Sequence, residues 1–114
     1  MPVNSRNKGH KYERDVAREF REFGFDTKTS RYANRELDDL KVDLVNTGIF
    51  NIQLKHVERL SPSYHEILSS MPEDNNYNLI FHKRNRKGEV VVMTKEDFYD
   101  ILQMLINTDI VNVR

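Results

Sequence analysis

VDLVNTGIFNIQLKH, residues 42 to 56, is the stretch whose reading decides the fold of this chain. Two short runs, Val42 to Asn46 and Phe50 to Lys55, flank Thr47, Gly48 and Ile49 and read as a β-hairpin. Side chains alternate along a strand, so Ile52 and Leu54 share one face while Gln53 and Lys55 share the other. Asp43 is opposed in the same way to Val42 and Leu44. A three-residue turn places Asp43 across from Gln53, and a two-residue turn places Ile52 there. On the plainest view these polar residues are the solvent face of an amphipathic hairpin.

Working outward, a helix is expected from about His10 to Phe23, where Tyr12, Val16, Ala17, Phe20 and Phe23 recur at helical spacing before Gly24. Glu13 is the anomaly of that helix. At about 100° per residue it falls between Val16, Ala17 and Phe20, inside the apolar stripe, where a carboxylate is costly unless paired, protonated or bound to a cation. The alternative is a border residue that reaches solvent or an arginine. Alternation from Phe25 to Arg31 suggests a strand, followed by a polar connection from Asn34 to Leu40.

Beyond the hairpin, Ser63 and Glu66 have capping-box spacing, with Tyr64, Ile67, Leu68 and Met71 as the apolar face of a helix before Pro72. Tyr77 to His82 and Glu89 to Met93 read as strands. Thr94 and Asp97 open a last helix with Phe98, Ile101, Leu102, Leu105 and Ile106 as its stripe. The order is helix, three strands, helix, two strands, helix, an α/β pattern on a single domain spanning residues 1–114.

The chain has 114 residues and no cysteine, so a disulfide framework and a thiolate metal site are both excluded. No apolar stretch has membrane-spanning length, and a location inside the cell, in the cytoplasm, is expected. Eighteen basic residues balance 18 acidic ones, yet the charges are sorted. Arg6, Lys8 and Lys11 stand in an N-terminal segment without acids, and Lys83, Arg84, Arg86 and Lys87 crowd one strand–strand turn. Together with Arg31 these are the candidate contacts to a DNA backbone. Acids gather at Glu36, Asp38 and Asp39.

A helix carboxylate, a strand carboxylate, a strand amide oxygen and an amine two residues later form a plausible site for a hard cation. Oxygen donors in a partly open shell suit Mg²⁺ or Mn²⁺, with Glu13, Asp43 and Gln53 as ligands and Lys55 beside the reacting phosphate.

These residues resemble a known superfamily. Residues 42 to 56 are similar to the signature of PD-(D/E)XK nucleases, with Asp43 as the aspartate and Gln53-x-Lys55 as the (D/E)-x-K. GHKYERDVAREFREFGF, residues 9 to 25, is similar to the first helix of archaeal-type Holliday junction resolvases, in which a glutamate at the Glu13 position completes the metal site. TSRYANRELDDLKVDLV, residues 29 to 45, resembles small phage-borne relatives and Mrr-type restriction endonucleases. The resemblance implies a restriction-endonuclease-like fold with a central mixed sheet flanked by helices, divalent metal, hydrolysis of DNA phosphodiesters and a homodimer. It also implies a phage or recombination setting and a contribution to activity from Ser30, on the strand before the aspartate.

Val42 stands where the name-giving proline would be, and Gln53 replaces an acid, which leaves the site one negative charge poorer. Mrr-type enzymes carry the same Gln-x-Lys. The expectation is a Mg²⁺- or Mn²⁺-dependent Holliday junction resolvase. A duplex-cutting restriction or repair endonuclease and a weakly active DNA-binding module on the same fold are the alternatives.

Overall fold

In the computed structural model, which describes residues 5–113, the first helix, α1, spans Ser5–Glu22 and so starts a turn earlier than the apolar periodicity demands. Residues 1–4 of the basic N-terminal segment lie outside the described residues. Gly24 ends the helix with φ 108°, a conformation that side chains disfavour. The Gly24 and Phe25 N–H groups close the last turn by donating to Arg21 and Phe20. Tyr12, Val16 and Ala17 are buried, while Arg14 and Arg18 point outward.

The next segment departs from the strand expected over 25–31. Only β1 (Lys28–Thr29) is extended, and two short helices follow, α2 (Ser30–Ala33) and α3 (Arg35–Asp39). Ser30 therefore opens a helix instead of lying on a strand. The expected polar connection at 34–40 is largely helical because Asn34 caps α3, accepting from the Leu37 N–H at 3.2 Å.

The hairpin also needs correction. Its halves are β2 (Leu44–Val45) and β3 (Phe50–His56), but β2 pairs antiparallel with β1, placing Leu44 opposite Thr29. β3 instead pairs in parallel with β4 (Tyr77–Arg84), which pairs antiparallel with β5 (Gly88–Val92). The reason lies at Asn46, which sits at φ 62°. Its carbonyl accepts from Thr27 Oγ1 and its amide donates to the Asp26 carbonyl, both at 2.9 Å, so β2 is drawn toward the residues ahead of β1.

Side-chain alternation then fills both faces of the three-stranded sheet. Ile52, Leu54 and Leu79 pack with Tyr12, Val16 and Ala17 of α1 and with Leu44. On the other face Ile80 packs with Ile67 and Leu68 of α4 (Tyr64–Ser70) and with Met71. The result is a mixed α/β domain with helices on both sides. Ser63 and Thr94 cap α4 and α5 (Lys95–Asn107), accepting from Glu66 at 3.4 Å and Asp97 at 3.1 Å. α5 buries none of its residues, and no described helix is long and apolar enough to cross a membrane.

Asn51 anchors the start of β3. Its buried amide donates to both Asp74 carboxylate oxygens, at 3.1 and 3.2 Å, and to Asn78 Oδ1 at 3.0 Å, and it accepts from Asn76 at 3.4 Å. Asn51→Ala should leave Asp74 Oδ2 and Asn78 Oδ1 without their Asn51 donor and cost about 1–3 kcal/mol. Urea unfolding checks this as a lower midpoint at unchanged slope.

Candidate functional site

Asp43 follows Val42, at the point where the chain has turned out of α3 through Lys41 at φ 66°. Its backbone N–H donates to the Ile52 carbonyl at 2.8 Å, and its carboxylate oxygen Oδ2 accepts from the Leu54 N–H at 2.8 Å. The two bonds bracket Gln53. Asp43 is thus matched by its backbone to Ile52, and its carboxylate, not its backbone carbonyl, takes the Leu54 amide. The backbone carbonyl is used elsewhere, accepting from the Ser30 N–H at 2.8 Å.

Ser30 is fully buried, and its hydroxyl donates to the Val42 carbonyl. Both groups bond to residues 42 and 43, so Ser30 braces the backbone that carries Asp43.

Glu13 is 8% exposed, so the helix carboxylate does face inward. Its partner is Arg31 on α2, with Nε 3.8 Å from Oε2, an ion pair longer than a hydrogen bond. Glu13 Oε2 has no hydrogen-bond partner and is cut off from solvent. Gln53, 6% exposed, has its Oε1 in the same condition. Gln53 shares its sheet face with Ile80 and so lies opposite Ile52 and Leu54, which pack on α1. Glu13 is coupled by charge to Asp43, and Asp43 bonds the residues on either side of Gln53 across the gap between β2 and β3.

The carboxyls are strongly perturbed. Burial, and next the charge of Asp43, push Glu13 up to about 7 against the pull of Arg31. Burial pushes Asp43 up to about 6, opposed first by the Leu54 N–H, while Asp38 raises it and Lys55 and Lys41 lower it. Asp38, on α3, acts on both carboxyls and also on His10, whose own value is lowered first by burial and then by Arg31. The acidic run at 36–39 signals Asp38 only as composition; its approach to Glu13 depends on α3, where the sequence predicts a polar connection. His10 carried no signal beyond its place one turn before Glu13.

Lys55 is half-buried, two residues past Gln53 on the same face. The basic residues fall toward the same end of the sheet. The Tyr12 ring lies 5.9 Å from the His56 ring and 5.8 Å from Lys83 Nζ, joining α1 to the ends of β3 and β4. Arg84, Arg86 and Lys87 are exposed at the β4–β5 turn, and Arg6 is exposed and Lys8 half-buried on α1. Lys11 is paired with Asp15 at 2.8 Å.

Two buried acceptor oxygens without donors beside a buried carboxylate form an unmet demand for positive charge, and Glu13, Asp43 and Gln53 supply the hard oxygen donors that Mg²⁺ or Mn²⁺ takes. Among the described residues no group of three His, Cys, Asp or Glu side chains is placed to hold a metal, so any such site depends on the amide of Gln53. No protein-family model matches the chain, and neither a curated protein nor a solved structure matches it.

Both raised carboxyls hold their proton more tightly folded than unfolded. Their contribution to stability is therefore fully present below the ordinary values of 4.5 and 3.8 and is lost as pH rises through about 7 for Glu13 and about 6 for Asp43. In chelator, Glu13→Gln should gain roughly 2 kcal/mol relative to the parent at pH 8 and almost nothing at pH 4. Urea titrations at the two pH values measure the difference.

Proposed function

We propose that this chain is a divalent-metal-dependent endonuclease acting on DNA, with a four-way or similarly branched junction as substrate and a homodimer as the working unit. The observation that carries the reading is the pair of unpartnered, solvent-excluded oxygens on Glu13 and Gln53, with Glu13 coupled by charge to Asp43 and Gln53 standing between the two β3 residues that Asp43 bonds. The resemblance of residues 9–25 to the first helix of Holliday junction resolvases supplies the branched substrate. Paired symmetric cuts ask for two equivalent sites related by a two-fold axis.

Glu13, Asp43 and Gln53 would hold Mg²⁺ or Mn²⁺. When bound, such an ion polarises the scissile phosphate and makes water more acidic. The protein's own contribution is positional and electrostatic. Ser30 and the Leu54 N–H fix the Asp43 carboxylate before substrate arrives, so little reorganisation is needed at the moment of reaction. Lys55, whose charge already acts on Asp43, is the cation available to the developing negative charge on phosphate. The basic residues at the ends of α1 and β4 would meet the backbone of the flanking DNA without reading its sequence.

A second reading has its own support. With Gln53 in place of an acid, the site has two carboxylates, which suits a DNA-binding module that scarcely cuts. Labelled four-way junction and linear duplex of the same sequence, each with Mg²⁺, Mn²⁺ or chelator, separate the readings. The nuclease reading expects nicked strands in either metal, faster on the junction, and none in chelator; binding without cutting in all three favours the module.

Asp43→Asn and Lys55→Ala should each reduce cleavage by about 100-fold or more while leaving DNA binding largely intact. Gln53→Glu should tighten Mn²⁺ binding several-fold if residue 53 is a ligand, and calorimetric titration reads this directly. An unchanged rate in the first two variants removes the assignment.

A further inference from the structure

Arg31 and Tyr32 lie side by side on α2, next to Ser30, and their geometry is not explained by folding. The Tyr32 ring is 80% exposed, a large aromatic surface left in water on the helix that carries the Asp43-positioning serine. One face of the ring is covered by Arg31, whose guanidinium carbon is 4.6 Å from the ring centroid, and Arg31 Nη1 donates to the Tyr32 hydroxyl at 3.1 Å. That stack holds the ring in place. On the other edge of the guanidinium Nε lies 3.8 Å from Glu13 Oε2, and Nε and Nη2 are both buried, so Arg31 is anchored in the protein while it carries the ring.

We infer that Arg31 and Tyr32 form a nucleotide platform: Arg31, anchored beside Glu13, holds the ring in place, and the open face of Tyr32 stacks an unpaired base at the branch point. Aromatic faces accept any base, so the platform selects for an unstacked base and not for sequence. A base inside a regular duplex has both faces covered by its neighbours and cannot be received. The substrate class that follows is DNA with at least one base free to leave the stack. This rests on the reading of DNA as the substrate of the Asp43 site.

The test uses the full chain in chelator, so that neither metal nor cleavage enters. The probe is a duplex carrying a single bulged 2-aminopurine, compared with the blunt duplex of the same sequence. Stacking on Tyr32 should quench the bulge fluorescence and favour the bulged duplex. Tyr32→Leu should abolish the quenching and weaken bulge binding about tenfold with blunt-duplex affinity unchanged, whereas Tyr32→Phe should retain both. Quenching that survives in Tyr32→Leu, or equal loss on both duplexes, overturns the platform. Failure to bind either duplex removes the DNA reading itself, a result distinguishable from the first two.

Discussion

Asp43 holds this molecule together with its backbone and its side chain at once. The N–H reaches the Ile52 carbonyl, the carboxylate receives the Leu54 N–H, and the carbonyl receives the Ser30 N–H, so a single residue joins the β1–β2 pair to the three-stranded sheet. Because a carboxylate oxygen and not a backbone carbonyl takes the Leu54 amide, the charge of Asp43 is pinned at the edge of β3 and excluded from most of its hydration. Its raised value follows from that placement. Glu13 on α1 is raised first by its own burial and next by the charge of Asp43.

A buried pair of like charges is expensive, and Arg31 answers it only in part at 3.8 Å. Folds tolerate such sites where function demands them, and a cation bound as proposed would recover the energy. The surrounding structure has the rigidity to carry the cost. α1 packs on β3 through Tyr12, Val16 and Ala17, the Asn51 network locks the start of β3, and buried His82 is held between the Tyr64 hydroxyl at 2.8 Å and the Val57 carbonyl at 2.7 Å. Those bonds brace the β3–β4 pair on either side of Lys55, which is in register with His82.

Much of this was legible in the residues. The inward turn of Glu13 follows from helical periodicity alone, and the caps at Ser63 and Thr94 from local chemistry. The alternation in residues 52–55 correctly separated Ile52 and Leu54 from Gln53 and Lys55. The partner of β2 was not legible, because it is chosen by bonds from Asn46 to Asp26 and Thr27, some 20 positions away. Ser30 and Arg31 fall within the strand that the alternation from Phe25 to Arg31 suggests. Their helical turn depends instead on bonds to Val42 and Asp43, and it alone brings Arg31 to Glu13 and stacks it on Tyr32.

The central claim is that Glu13, Asp43 and Gln53 hold one hard cation at the β2–β3 gap. Anomalous diffraction from a crystal soaked in Mn²⁺ tests it most directly. The account predicts a peak at about 2.1 Å from Glu13 Oε2, Gln53 Oε1 and an oxygen of Asp43. A peak that leaves out Gln53, or manganese bound elsewhere while Arg31 closes onto Glu13, would contradict it.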